Sequence, residues 1–361
     1  MPDCIVVGGG VIGLLTARQL FLQGVDVLLI EKGSLGGESS WAGGGIISPL
    51  YPWRYDAAVN VLAERSKKQY PDLVNKLFEE TGKDCELINS GIFTVVEKRQ
   101  EIFDWAKQWS VNANFIRDVD SIHAIESRVG RVVNQGIWMP DVMQVRNPKL
   151  VDALKASSDY LSIKFKEHTE VEEIVIKNNK VCGVRTKQET ITADKVIIAS
   201  GAWSAQFSVT QDSVDVVPVK GQMIMYKGEP NHVKRIILSE GHYIIPRKDG
   251  RVLAGSTLEK IGFDKSTSKQ ALEELHQSAV ELIPSLSEMK VERQWAGLRP
   301  GTEKGIPYIC KHDVIENLYV HAGHFRNGIV LGVASAELMT DIVLERTPWC
   351  DVRPYDISAI H

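Results

Sequence analysis

Residues 4–31, CIVVGGGVIGLLTARQLFLQGVDVLLIE, decide the fold of this chain. Ile5, Val6 and Val7 form an apolar run without alternation, the pattern of a parallel strand buried on both faces. Gly8, Gly10 and Gly13 follow in G-x-G-x-x-G spacing. Gly8 permits a tight turn, Gly10 lets the backbone approach a pyrophosphate, and Gly13 lets the next helix lie close to the sheet. Leu14, Leu15, Ala17, Arg18, Leu20 and Phe21 carry that helix, whose N-terminal amides face the phosphates. Gly24 ends it, residues 25–30 form a second strand, and Glu31 arrives where a ribose hydroxyl needs an acceptor. Glycine spacing alone is a weak signal; in this strand–turn–helix–strand context it marks a dinucleotide site.

The chain has 361 residues, enough for two domains or one large elaborated one. A net charge of -4, with no basic run longer than Lys67-Lys68, gives no electrostatic case for nucleic acid binding. Five cysteines (Cys4, Cys85, Cys182, Cys310 and Cys350) form no C-x-x-C, which fits a reducing compartment better than disulfides or zinc. The first strand starts within a few residues of Met1, so no cleaved leader is expected. No apolar run reaches the roughly 20 residues that span a bilayer. The longest, 328–344, is broken by Glu337 and Asp341. A cytoplasmic protein without membrane insertion is expected.

A second glycine-rich stretch, KGSLGGESSWAGGGIISPLYPW, begins at Lys32. A nicotinamide cofactor has no obvious need for it, whereas a flavin dinucleotide reaches further along the sheet edge. Ser39, Ser40, Gly43, Gly44 and Gly45 supply the small residues and hydroxyls for that reach. A flexible surface loop is the alternative, against which stand Trp41, Ile46 and Ile47.

Helical spacing runs from Asp56 to Phe78, with Pro71 expected to divide it into two helices. Strands at 92–96 and 136–139 and a helix at 101–109 lack phosphate-binding features and leave the cofactor domain. A helix starts at Asn147-Pro148. Strands at 163–165, 171–176, 180–186 and 189–192 suggest a small antiparallel crossover, with Asn178-Asn179 as a hairpin turn. The strand from Lys195 delivers Gly201 to the cofactor edge. Residues 214–226 and 235–258 are strand-rich, with Gly241, Gly250 and Gly255 at turns. A helix at 269–283, a strand at 290–298 leading into Arg299-Pro300-Gly301, a strand at 317–321 and a helix at 329–344 complete the chain. The two domains are therefore interleaved.

The motifs GGGVIG, IEKGSLGGESSWAGGG, IIASGAWS, YIIPRKDGRVLAGST, WAGLRPGT and AGHFRNGI resemble the FAD-dependent D-amino acid oxidase superfamily, and within it the glycine oxidase group. They run from residue 5 past residue 330, and WAGLRPGT with AGHFRNGI is the specific part. The fold class implied is α/β: a Rossmann-like FAD-binding domain (1–85, 146–212, 300–361) interleaved with an antiparallel-sheet α+β substrate domain (86–145, 213–299). The resemblance places Gly8, Gly10, Val11, Ile12 and Gly13 at the phosphate turn, and Glu31 and Lys32 at the adenosine ribose. Ser39, Ser40, Gly44, Gly45 and Ile46 match a second FAD segment, and Val171 meets the adenine side. His324, Phe325, Arg326, Asn327, Gly328, Ile329 and Val330 match the segment that wraps the flavin ring. Arg299 and Arg326 match substrate-carboxylate ligands, and Tyr243 a tyrosine of the substrate pocket. Leu258 stands where a relative carries methionine, a departure that bears on the side-chain preference more than on the reaction.

An arginine can grip a carboxylate through two parallel N–H···O bonds, which lysine cannot reproduce. For Arg326 the alternative is a structural ion pair, for Arg299 a plain surface turn, and for Tyr243 strand packing. His242 alternates with Tyr243 and points to the other face. His321 and His324 have no third ligand in sight, so no metal is expected. Some relatives tether flavin through cysteine; Cys310 does not sit in that motif, and noncovalent FAD is expected.

The implied reaction passes hydride from Cα of a neutral amine to flavin, releases imine or oxo acid, and returns electrons to dioxygen as hydrogen peroxide. Glycine, sarcosine and small D-amino acids are the implied substrates, with glycine imine supplied for the thiamine thiazole. A homo-oligomer is implied as well. A dehydrogenase feeding a quinone and a catalytically silent flavoprotein module are the alternatives.

Overall fold

The apolar run Cys4–Val7 is a central strand of a six-stranded sheet in a computed structural model that describes residues 1–361. The strand order is Tyr308–Lys311, Leu318–Ala322, Lys195–Ile198, Cys4–Val7, Val27–Ile30, Lys164–Lys166. All neighbours are parallel except the Tyr308–Lys311 edge. Alternation explains the unbroken apolar run. Cys4, Val6, Val27 and Leu29 point into one core, under the helices Val11–Leu22, Ala57–Thr81, Asn147–Tyr160 and Gly328–Val343. Ile5, Val7, Leu28 and Ile30 point into another, beneath a three-stranded antiparallel sheet (Val171–Lys177, Lys180–Thr186, Thr190–Thr192). Asn178 and Asn179, with φ of 51° and 57°, make its hairpin turn.

The fold corrects the sequence expectations for Pro71 and for residues 163–165. Pro71 does not divide its helix: Ala57–Thr81 is continuous. Pro71 lies on the exposed face, where water can take up the freed carbonyl, while Ser66, Tyr70, Val74 and Leu77 keep the buried stripe unbroken across it. The strand expected at 163–165 does not join the antiparallel crossover. Lys164–Lys166 pairs parallel with Val27–Ile30, because the helix Asn147–Tyr160 returns the chain to that sheet edge.

A second sheet has eight strands, ordered Val291–Gly301, Val217–Tyr226, Val252–Gly255, His242–Pro246, Ile236–Ser239, Ile92–Val95, Gly136–Met139, Asn114–Ile116. Gly241 and Gly250, both with φ of 88°, turn the chain between strands, whereas Gly255 ends a strand instead of sitting in a turn. Arg299-Pro300-Gly301 is no surface turn either. It continues the edge strand, with Val219 opposite Arg299 and Pro218 opposite Pro300. Proline is tolerated there because an edge strand leaves one side of its backbone unpaired.

Candidate active site

Where the Cys4–Val7 and Lys195–Ile198 strands end, a cavity of about 510 Å³ runs between the two sheets. Parallel sheets bind ligands at this end of their strands. The glycine turn forms its floor. Gly8 has a φ of 111°, and a Cβ on Gly13 would stand 1.8 Å from the Gly8 carbonyl oxygen, so helix and turn meet as the spacing required. The Glu31 carboxylate accepts from the backbone N–H of Gly9 and of Gly33, each at 2.7 Å. Val11 N–H donates to Ser40 Oγ at 2.8 Å, which ties the second glycine stretch to the first.

A buried arginine that sequence reasoning missed holds that second stretch. Arg247 donates from Nη1 to Gln144 Oε1 (2.7 Å) and the Val145 carbonyl (3.1 Å), and from Nη2 to the Gly44 carbonyl (2.9 Å). Asn147 Nδ2 donates to the Ser40 carbonyl at 2.8 Å. Gly44 then fits against Tyr243: an added Cβ would lie 3.4 Å from Tyr243 Cε2 and 2.6 Å from Ile245 Cδ1.

At one end of the cavity stand Arg299, Arg326 and Tyr243. Arg299 donates to Ser256 Oγ (2.7 Å) and to the carbonyls of Thr257 (3.1 Å) and Lys220 (3.4 Å). Burial pushes its guanidinium below its ordinary pKa; Tyr243 beside it opposes that shift and Arg326 adds to it. Arg326 Nε is buried without a partner. Neither arginine has an acidic partner among the ion pairs of the molecule. The Tyr243 hydroxyl is 3.7 Å from Met223 Sδ.

At the other end lie Glu31, Lys32, Val171 and Gly201. Lys32 Nζ sits 3.5 Å from the centre of the Trp203 ring, which packs on Phe263. Between the ends, Ser39, Ser40, Gly44, Gly45, Ile46, His324, Phe325, Gly328 and Ile329 line the wall, as do Gly8, Gly10, Val11 and Ile12. Gly13, Asn327 and Val330 do not line it. Gly13 packs helix on turn, Asn327 occupies the N-cap position of the helix Gly328–Val343 without a side-chain hydrogen bond, and Val330 is in the core. Met223, Ser256, Asn147, Trp203 and Gly221 line it without having been singled out. Trp203 shares a motif with Gly201, and Ser256 one with Tyr243; the other three carried no local signal of a site.

The residues present fit FAD. The cavity joins the dinucleotide turn to the arginine end, and glycines open its walls where a Cβ would protrude. Buried polar atoms without partners cluster along it: Asn147 Oδ1, His321 Nε2 and Arg326 Nε, with Asn327 Nδ2 in the adjoining turn. Cys310, by contrast, is buried in a separate apolar cluster, and no cysteine lines the cavity.

Glycine oxidase of Pseudomonas aeruginosa is 43% identical over 354 residues, covering 97% of each chain. The crystal structure of glycine oxidase from Geobacillus kaustophilus superposes with a TM-score of 0.93 at 28% identity, covering 99% of this chain and 98% of that one. The bifunctional protein ThiO/ThiG of Trichormus variabilis is 30% identical over 95% of this chain and 53% of its own length. A family model described as FAD dependent oxidoreductase matches residues 3–342, and the chain belongs to that family.

Proposed function

We propose that this chain oxidises glycine and other small amino acids, with sarcosine and small D-amino acids in its range. The products are an imine or its oxo acid, ammonia or an amine, and hydrogen peroxide. One observation carries the proposal: Arg299 and Arg326 face one cavity, and neither has a carboxylate partner. Two such cations with no counter-ion suit an anionic ligand, and the planar fork of arginine suits a carboxylate.

The roles follow from position. Gly8, Gly10, Val11 and Ile12 are assigned to the pyrophosphate, with Gly13 letting the helix pack against their turn, and Glu31, Lys32 and Val171 to the adenosine. Ser39, Ser40, Gly44, Gly45, Ile46, Gly201, His324, Phe325, Gly328 and Ile329 are assigned to the remainder of a noncovalent FAD, with Asn327 and Val330 shaping the turn and helix behind them. Residues 1–85, 146–212 and 300–361 would form the FAD-binding domain, and 86–145 and 213–299 the substrate-binding domain.

Arg326 and Arg299 bind the substrate carboxylate, and Ser256 and the Thr257 carbonyl keep the Arg299 fork from turning. Tyr243 closes the pocket beside them and hydrogen-bonds the carboxylate. Fixing that group fixes Cα and its hydrogen, which is most of what a positioned reaction requires. Ile46, Leu50, Met223 and Phe325 give the cavity apolar walls that limit water. The helix Gly328–Val343 presents its N-terminus there, worth about half a positive charge that favours negative charge nearby. The chemistry supplied by bound FAD is uptake of two electrons from the amine's C–H bond and their return to dioxygen.

The similarity to ThiO/ThiG supports a supply of glycine imine to thiamine thiazole synthesis as the cellular duty. A homo-oligomer in the cytoplasm fits this reading; no helix is long and apolar enough to cross a membrane. The test is anaerobic bleaching of the flavin by a panel of glycine, sarcosine, and D- and L-amino acids. Bleaching by glycine and sarcosine, reversed by air with release of peroxide, is the expected result. No bleaching by any small amine would overturn the proposal.

A further inference from the structure

Between two helices that meet at the cavity stands a hydrogen-bond acceptor with nothing to accept. His321, 1% exposed, is near the end of the strand Leu318–Ala322 and lines the cavity wall. Its Nδ1 is 2.9 Å from Thr16 Oγ1, and that hydroxyl is 2.7 Å from the Ile12 carbonyl oxygen. A carbonyl can only accept, so the Thr16 proton goes to Ile12 and Thr16 Oγ1 accepts from His321 Nδ1–H. The tautomer is thereby fixed: Nε2 carries a lone pair and no proton. Nothing in the protein reaches Nε2.

His324, whose ring centre is 5.1 Å away, is pinned in the same manner through its other nitrogen. Its Nε2 is 3.1 Å from Ser335 Oγ, which in turn donates to the Gly332 carbonyl. Burial pushes both rings below the ordinary histidine pKa, so both stay neutral. A buried acceptor left unpaired costs free energy, which makes His321 Nε2 an unexplained expense in the folded chain.

We infer that His321 is a cofactor-positioning residue whose Nε2 accepts a hydrogen bond from a hydroxyl of the sugar-alcohol chain of FAD. This rests on the assignment of the cavity to FAD. Pyrophosphate oxygens and ring carbonyls are acceptors themselves and cannot satisfy Nε2. The donors on the cofactor are its hydroxyls, the ring N–H and the adenine amine. His321 is bound to Thr16, one turn past the Val11–Ile12 phosphate turn, and its strand leads directly into Arg326–Gly328. Between a pyrophosphate at the first and a flavin ring at the second lies the sugar-alcohol chain.

The experiment uses the full chain stripped of flavin and titrated with FAD, and reads affinity and melting temperature. His321→Phe keeps the ring and removes the acceptor. It loses the Nδ1–H bond to Thr16 along with the unpaired Nε2, two opposing effects that should leave its melting temperature without FAD close to that of wild type, and it is expected to bind FAD about tenfold more weakly. Among FAD analogues each lacking one sugar-alcohol hydroxyl, one should cost the wild type this same factor and cost His321→Phe nothing further. Equal FAD affinity in wild type and variant would overturn the inference. Should His321→Phe not fold, nitrogen-15 spectra of the wild-type histidines decide. A bare Nε2 whose resonance moves on FAD binding supports the inference, and a protonated or unmoved Nε2 overturns it. A wild-type chain that binds FAD but is bleached by no amino acid would leave this inference standing and sink the proposed reaction.

Discussion

Arg299 lies over Gly221: a Cβ on that glycine would stand 2.1 Å from Arg299 Nη2 and 2.3 Å from Cζ. The two residues are diagonal neighbours on paired strands, since Val219 faces Arg299 and Gly221 faces Gly297. Gly221→Ala should therefore push the guanidinium out of place without touching the dinucleotide turn. We expect kcat/KM for glycine to fall by roughly 100-fold, the scale of an ångström-sized misplacement, with flavin content unchanged. Steady-state kinetics beside the visible spectrum checks this; unchanged kinetics would free Arg299 from any dependence on Gly221.

Arg247 ties Gly44, Gln144 and Val145 together from a fully buried position. Burial, aided by the Arg146 charge, pushes its pKa down to about 10, so it remains a cation at neutral pH. Arg247→Met leaves three acceptors unpaired, a loss on the order of 3 kcal/mol or more. Denaturant unfolding should show that loss, together with weaker FAD retention because Gly44 is no longer held. A variant as stable as wild type would mean that the loop is held elsewhere.

Acid should weaken the protein through its buried histidines. Burial pushes His324 from an ordinary 6.5 to about 3, and His321 is pushed down likewise by burial and by His324. Below pH 6.5 the unfolded chain takes up protons that the folded chain refuses. Stability is therefore full above that pH and is lost as pH falls toward about 3, by roughly 1 kcal/mol per pH unit per histidine. Urea unfolding at pH 7 and pH 5 should show a smaller loss for His324→Gln than for wild type. Equal losses would contradict a neutral His324.

The dinucleotide-turn end of the cavity was legible because its pattern is local in sequence. A turn, a helix N-terminus and an acid must follow one another within one unit, so Gly8, Gly10 and Glu31 announce themselves. Arg326 was legible by resemblance, in a turn between strand and helix. Gly221, Met223 and Ser256 were not legible, because they reach the cavity through the register of the second sheet. Strand alternation shows which face a residue occupies and not what lies opposite. Arg247 sits inside the motif YIIPRKDGRVLAGST, but no local pattern shows that the fold buries it against Gly44, Gln144 and Val145. Pro71 misled for a related reason: a proline signals a break, but a continuous buried stripe on the far face outweighs it.

In the proposed reaction a substrate carboxylate supplies the counter-ion that Arg299 and Arg326 lack. That pairing is tested most directly by anaerobic rapid mixing of glycine with wild type and with Arg326→Ala, following loss of flavin absorbance against glycine concentration. Arg326→Ala is expected to keep its FAD but to need at least roughly 100-fold more glycine for half-maximal reduction, because a charged partner of the carboxylate is gone. Saturation at the wild-type glycine concentration would contradict it.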